Sequence, residues 1–298
     1  MNNSSLVSIV IPTYNHAPML QRALATVVEQ TYQNWNAIVV NNFSTDNTLE
    51  VVAAFNDPRI QCVNFRNNGV IGASRNEGIA LATGKYVAFL DSDDWWDDER
   101  LAFVKAELSN DLDLLYHSLR VVTAEGLAHT QERRTIIGDP LRGNSLRHLA
   151  LFGNPVPNSA AVVRRSLLIQ IGGICEERTI VAVEDYDTWL RLLEAGARMR
   201  FLDQVLGSYW IGEDGISAFS RHQIDRQIAL FARHLNKFSP ELRIEAEAAH
   251  NYTVGSMLLQ LGGDNKQARN YLMRANKLPT LIMRIKRYIK LTIIFLRY

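Results

Sequence analysis

Gly84-Lys85-Tyr86-Val87-Ala88-Phe89-Leu90-Asp91-Ser92-Asp93-Asp94-Trp95-Trp96 passes from an apolar run straight into acid. Tyr86 to Leu90 predicts a short buried strand. Asp91, Asp93 and Asp94 follow at once. A buried strand that ends in so much negative charge needs a cation or open solvent to receive it. In an extended segment residues i and i+2 share a side, so Asp91 and Asp93 point the same way. Two readings fit. One is a site for a hard divalent cation, Mg2+ or Mn2+, which takes one or two protein carboxylates together with substrate phosphates. The other is a solvated acidic turn opening the next helix, with Asp94, Asp97 and Asp98 near its positive end.

Toward the N-terminus, strand alternates with helix. Val7 to Ile11 predicts a strand ended by Pro12. Leu20, Ala23, Leu24, Val27 and Val28 recur at helical spacing up to Gln30. Ala37 to Val40 is a second buried strand, and a helix is expected from about Thr45 to Phe55. Ile60 to Phe65 is a third strand. Ser74 and Glu77 form a capping-box pattern that would start the next helix. Four such alternations predict βαβ units: an α/β fold, Rossmann-like, with a mainly parallel sheet and helices on both faces. Ligands of such sheets bind beyond the carboxyl ends of the strands. Each strand–helix loop here is polar: Thr13 and Asn15, Asn41 to Asp46, Ser74 to Asn76, Asp91 to Asp94. Gly69 to Gly72 is no GxGxxG, and Gly84-Lys85 is no Walker loop. A nucleotide held at this edge would need a metal and the Arg75 guanidinium to neutralise its phosphates; the plainer reading of Arg75 is a surface arginine in a helix first turn.

Composition bounds the rest. The 298 residues are 47% hydrophobic and 21% charged, which suits a globular protein of one large or two ordinary domains. A net charge of +1 offers no field for nucleic acid, so no nucleic-acid partner is expected. The two cysteines, Cys62 and Cys175, make neither a disulfide framework nor a CxxC metal site and suit a reducing compartment. Met1 to Ser5 shows no signal-peptide pattern, and no apolar run reaches the length of a membrane span. His117, His148 and His222 lack metal-ligand spacing and read as structural or surface residues.

Ile11-Pro12-Thr13-Tyr14-Asn15, Ser44-Thr45-Asp46, Ala73-Ser74-Arg75-Asn76-Glu77-Gly78, Asp91-Ser92-Asp93-Asp94 and Glu184-Asp185-Tyr186-Asp187, in that order, resemble the family-2 glycosyltransferases of the GT-A fold, of the bacterial surface-polysaccharide type. The resemblance covers roughly Val7 to Tyr209. It implies that Asp91 and Asp93 are the DxD pair, with Asp93 on the Mn2+ or Mg2+ and Asp91 on the metal or the ribose. It implies that Thr13, Tyr14, Asn15, Asn42, Ser44, Arg75 and Ser92 line the nucleotide-sugar site, Thr13 near the base and ribose and Arg75 near the diphosphate. Asp185 would be the general base, supported by Glu184 and Asp187; without the resemblance, these acids simply favour a helix N-terminus. This chain has Asn41-Asn42 where the family usually has two aspartates. An amide accepts through oxygen but adds donors and removes charge. UDP-sugar remains the favoured donor, with dTDP- and GDP-sugars open. The Gln/Arg-x-x-Arg-Trp motif and membrane helices of processive members are missing, which implies transfer of one sugar, as in a hexosyltransferase.

The resemblance divides the chain into a glycosyltransferase domain over 1–215 and a helical extension over 216–298. A nucleotide-sugar half ends near 97 and an acceptor half runs from about 98 to 215. In the acceptor half, Leu114–Ser118 and Arg120–Thr123 predict two strands, Gly153–Pro157 a loop, Ala160–Val163 a strand, and Tyr186–Ala195 a helix. Trp189 reads as core or as a platform for a sugar. In the extension, His222–Phe238, Glu241–Leu261 and Lys266–Asn276 are expected helices, the last two resembling one tetratricopeptide-type hairpin. The last helix, Thr280–Tyr298, carries Arg284, Lys286, Arg287, Lys290 and Arg297 and no acid. Ile282, Ile285, Ile289, Ile293 and Leu296 form an apolar stripe along it. Such a helix suits an anionic membrane surface; packing on the protein's own core, or a homodimer contact, is the alternative. Membrane binding would place the protein peripherally on the cytoplasmic face of the cell membrane. There the acceptor would be a saccharide, such as one carried on a polyprenyl diphosphate in O-antigen or capsule synthesis. Two rival functions remain: a nucleotidyltransferase, which would need a Gly-rich loop that Ile11–Asn15 does not supply, and a catalytically silent scaffold with Asn41-Asn42 as decay.

Overall fold

The computed structural model describes residues 7–123, 136–143, 145–212, 219–262 and 264–296. Its strands are β1 (Val7–Thr13), β2 (Trp35–Asn41), β3 (Ile60–Asn64), β4 (Tyr86–Phe89), β5 (Trp95–Trp96), β6 (Leu114–Thr123), β7 (Ile136–Ile137), β8 (Val162–Arg164) and β9 (Met199–Ile211). Its α-helices are α1 (Ala17–Val28), α2 (Thr48–Ala54), α3 (Ile71–Leu81), α4 (Arg100–Glu107), α5 (Ser145–Phe152), α6 (Arg165–Gln170), α7 (Glu184–Glu194), α8 (Arg221–His234), α9 (Pro240–Leu261), α10 (Asn265–Arg274) and α11 (Leu281–Leu296). The chain divides into two compact units. Met1–Leu141, Asn154–Glu176 and Glu184–Gly215 form the first; Arg142–Gly153, Glu177–Val183 and Ile216–Tyr298 form the second.

One sheet in the order β3-β2-β1-β4-β8-β6-β9-β5 organises the first unit, with β7 alongside β6. β3, β2, β1 and β4 run parallel. β8 is antiparallel to both its neighbours, and β6 and β9 are again parallel. All seven residues of β1 are buried, as a parallel strand covered on both faces requires. Ile9 and Ile11 pack with Leu20, Leu24 and Val27 of α1. Val10, on the other face, meets α3. The carboxyl ends of β1, β2 and β4 thereby open on one edge, at Thr13, Asn41 and Leu90.

Several elements differ from expectation for local reasons. β1 continues through Pro12, which stays in register with Val40. The Val10 carbonyl accepts from Leu90 N, whereas the Thr13 carbonyl accepts from Asn42 N. By strand alternation the Pro12 nitrogen faces the β4 side, where pairing stops at Phe89, so its missing N–H ends the β1–β4 ladder and leaves the β1–β2 ladder intact. The capping box at Ser74 does not form: the cap position of α3 is Val70, four residues earlier. Ser74 is buried inside the helix, and its Oγ accepts from Asn67 Nδ2 at 2.9 Å. α2 begins at Thr48, not Thr45, because Asp46 Oδ1 takes the Thr48 N–H and hydroxyl. The two strands expected between Leu114 and Thr123 are one, with irregular register around Ser118. Ala160 closes a 3-10 turn, and β8 starts at Val162. His117 is buried in β6, where Arg100 Nε donates to it at 2.9 Å.

In the second unit Ser220, Ser239 and Asp264 cap α8, α9 and α10 through their side chains. Ile224, Val254, Leu258, Ala268, Leu272 and Ile294 form the core of these helices. Gly255 lets α9 approach α10: a Cβ there would lie 2.8 Å from Leu272 Cγ.

Gly78 plays the same part between α3 and β1. A Cβ at Gly78 would lie 2.4 Å from Val10 Cγ1, a stiff β-branched side chain in the middle of the sheet. Gly78→Ala gains about 1 kcal/mol in helix propensity, but overpacking costs about 1–3 kcal/mol. We expect urea unfolding to show a net loss of stability; a net gain would disprove this close contact.

Candidate active site

The strand ends are fastened to one another by amides and hydroxyls. Asn15, in left-handed backbone at φ 51°, donates its N–H to Ser44 Oγ at 2.9 Å and accepts from Thr45 N through Oδ1 at 2.7 Å. Asp46 Oδ2 accepts from Ala17 N at the start of α1. Asn41 is buried. Its Nδ2 donates to Asn64 Oδ1 at 2.8 Å, while its Oδ1 accepts from Ser44 N and from Ser44 Oγ at 2.6 Å. An aspartate could do the second job but not the first. Asn42 Oδ1 accepts from Asn67 N at 3.0 Å. The Asn41-Asn42 pair thus ties β2 to the loops after β2 and β3.

Thr13 is buried, and its hydroxyl has no hydrogen-bond partner among the described residues. Tyr14 beside it is 53% exposed.

Asp91 to Asp94 is a turn, not an extended segment: Asp94 N donates to the Asp91 carbonyl at 3.0 Å. The turn separates the jobs of its carboxylates. Asp91 Oδ1 accepts from Arg75 Nη2 at 2.7 Å and from Asn158 Nδ2 at 3.1 Å. Ser92 is buried, with its hydroxyl 3.2 Å from His16 Nδ1. Asp94 is buried and accepts from Trp210 N at 2.8 Å. Burial, then the neighbouring Asp93 and Asp91, push the Asp94 carboxyl far above the usual range. Among the described residues no side chain donates a hydrogen bond to the Asp93 carboxylate; Arg22 Nη2 donates to its backbone carbonyl instead. Burial and Asp91 raise the Asp93 pKa, opposed by the charges of His16 and Arg22. A bare, partly desolvated carboxylate crowded by two others fits a hard divalent cation. Among the described residues no three His, Cys, Asp or Glu side chains converge into a cage. The donor set therefore suits an ion that takes its other ligands from water and substrate phosphate.

Arg75 joins the two ends of the site. It projects from α3, is almost fully buried, and its Nη1 donates to Glu184 Oε1 at the start of α7 while Nη2 holds Asp91. The two carboxylates, working against burial, raise its pKa, so it stays charged. Asp185 follows Glu184. Its Oδ2 accepts from Asn154 Nδ2 at 3.0 Å and its Oδ1 from Tyr186 N at 2.7 Å. Burial first, and Glu184 second, push its carboxyl up to about 7. Asp187 is spent on Arg191 at 2.6 Å, and Trp189 is core, its Nε1 donating to the Val156 carbonyl. The network thus runs Asn158–Asp91–Arg75–Glu184, with Asp185 and Asn154 beside it.

The structure brings Thr13, Arg75, Asp91, Asp93, Glu184 and Asp185 to the carboxyl edge. Asn15, Asn42 and Ser44 serve there as fasteners. The sequence reading missed His16, Arg22, Asn154 and Asn158. The asparagines stand in the short stretch Gly153-Asn154-Pro155-Val156-Pro157-Asn158, whose prolines stiffen the loop that aims them. That was a usable signal.

Removing the Arg75 charge leaves the Glu184 carboxylate buried and unpaired. Breaking a buried pair in this way costs about 3–5 kcal/mol. Arg75→Met should lose about that much in urea unfolding at neutral pH. A loss below about 1 kcal/mol would refute the link.

Comparison with known proteins gives the family and the fold. The profile of "Glycosyl transferase family 2" matches residues 8–172. The Escherichia coli protein named UDP-Glc:alpha-D-GlcNAc-diphosphoundecaprenol beta-1,3-glucosyltransferase WfgD is 30% identical over 191 residues, 63% of this chain and 70% of its own. S. aureus TarS 1-349, solved in complex with UDP-GlcNAc, superposes with a TM-score of 0.64 at 18% identity, covering 97% of this chain and 90% of its own. Mannosyltransferase PcManGT from Pyrobaculum calidifontis, solved with GDP-Man and Mn2+, gives 0.63 at 20% identity, covering 98% and 80%. These two share the fold. The match spans more than half of the chain, and the chain belongs to glycosyl transferase family 2, on a GT-A glycosyltransferase fold.

Proposed function

We propose that the chain transfers a single sugar, with inversion, from a nucleotide-sugar to a hydroxyl of a lipid-linked saccharide in bacterial surface-polysaccharide synthesis. The observation that carries the reading is Asp185: a carboxyl raised to about 7, held on both oxygens, and joined through Glu184 and Arg75 to the acidic turn. A general base works best with a pKa near the working pH. Asp185 takes the proton of the acceptor hydroxyl as its oxygen bonds to the anomeric carbon. The bond from that carbon to the diphosphate breaks, and the nucleoside diphosphate leaves with the electron pair. Asp93, with Asp91 beside it, would hold Mn2+ or Mg2+, which when bound neutralises charge on the diphosphate. Thr13, with its free hydroxyl, and Tyr14 meet the base and ribose. Arg75 fixes Asp91 and Glu184 in place.

A UDP-sugar is the favoured donor, in line with the names of WfgD and the TarS complex; GDP-Man in the PcManGT complex keeps other bases open. WfgD's name gives it a diphosphoundecaprenol-linked acceptor, which supports an acceptor of that kind here. A lipid-linked acceptor would in turn suit a peripheral place on the cytoplasmic face of the membrane. No described helix is long and apolar enough to cross a membrane.

Two measurements test this. Calorimetric titration of UDP should show Mn2+-dependent binding that EDTA removes and Asp93→Asn weakens strongly. Absence of binding by UDP, GDP, dTDP and CDP alike would favour a silent scaffold. With a working donor, kcat/KM should rise with pH through about 7, because the base must lose its proton to act. Asp185→Asn should lower kcat by about 10²–10⁴ with donor binding intact. Glu184→Gln should move the midpoint to lower pH, since it removes a neighbouring negative charge. A pH-independent rate across this range would exclude Asp185 as the base.

A further inference from the structure

α11 presents two unlike faces. Ile294, 1% exposed, and the half-buried Leu291 face the core of the second unit, and Met283 packs beside Leu278. The opposite face is bare: Ile282 is 65% exposed, Ile285 50%, Ile289 53% and Leu296 77%. The apolar stripe read from the sequence therefore does not pack on the protein's own core. Its basic residues divide as well. Arg287 turns inward and donates to the Leu272 and Met273 carbonyls, closing the end of α10. Lys286 is exposed and lies beside Ile285, about 100° round the helix, whereas the exposed Arg284 donates its Nε to the Leu278 carbonyl at 2.9 Å. Lys290 lies half-buried beside Tyr252. Arg297 lies outside the described residues. The described helix contains no acid.

We propose that the outer face of α11 is a membrane-docking surface whose occupant is an anionic phospholipid bilayer. The charge pattern selects it. An exposed apolar face with Lys286 at its edge, Lys290 next to it and no acid on the described helix matches the acyl boundary below and phosphate headgroups at the edge. Two copies packed through this face would bring the same cations together. The sixteen residues of α11 span about 24 Å, short of the hydrocarbon core, so the helix lies in the interface and does not cross. This deepens the membrane placement proposed above and rests on it for its biological sense. The test needs neither donor nor acceptor, so failure of one does not imply failure of the other.

The full chain is floated with vesicles of pure phosphatidylcholine and with vesicles of equimolar phosphatidylglycerol and phosphatidylcholine. Binding is expected to the anionic vesicles only and to weaken in high salt. Lys286→Gln should weaken it about fivefold. Ile285→Ser with Ile289→Ser should weaken it about tenfold or more. The altered isoleucines are exposed, so each variant should melt like the parent. Failure of the parent protein to float with anionic vesicles overturns the proposal. So does equal binding by the isoleucine variant. A stable dimer that Ile285→Ser converts to monomer would assign the face to a second copy.

Discussion

A buried guanidinium between two carboxylates is the constraint on which this site depends. Arg75 reaches Asp91 at the end of β4 with one nitrogen and Glu184 at the start of α7 with another. These residues lie far apart in the chain. Taking three charges out of water is costly, and the cost is recovered only when distance and direction are both right. The charges therefore act as a register: α3, β4 and α7 must arrive together or leave a charge unpaired. Close packing supports the same register, since Gly78 brings α3 onto Val10 of β1. Asn76 locks the far side of α3 to Ile174 through both its oxygen and its nitrogen.

The same arrangement sorts the acids into roles. Asp91 is occupied by Arg75 and Asn158, which leaves Asp93 as the carboxylate free of side-chain donors. Asp94 is withdrawn to anchor Trp210. Asp185 is desolvated and faces the charge of Glu184, so its affinity for a proton rises into the range where a base is useful. Four acids of similar chemistry thus become a positioning group, a candidate cation ligand, an anchor and a candidate base by their surroundings alone.

The departure at Asn41-Asn42 makes sense in this setting. Both side chains are engaged as fasteners. Asn41 must donate on one side and accept on the other, which a carboxylate cannot do. Together with Asn15, Ser44 and Asp46 they hold the loops of β1 and β2 in one arrangement before any ligand arrives.

The alternation of strands and helices, the parallel sheet and the polar carboxyl edge were legible in the sequence. They follow from hydrophobic periodicity, which is local, and from short polar runs at strand ends. Asp91, Asp93, Arg75 and Asp185 stood out there too, because their motifs are contiguous. Tertiary structure decided what each one does. It closed a tight turn in which Asp91 is held by Arg75 and Asn158 while Asp93 beside it accepts from no side chain among the described residues. It paired Arg75 with two acids. It moved Ser74 from a helix cap to a buried bond with Asn67, and it brought Asn154 and Asn158, from a proline-stiffened loop, to Asp185 and Asp91. On α11 the sequence showed an apolar stripe and four cations, but only packing showed that the stripe faces outward and that Arg287 is spent inside. Periodicity reveals that a face exists; which partner covers it depends on contacts between residues distant in the chain.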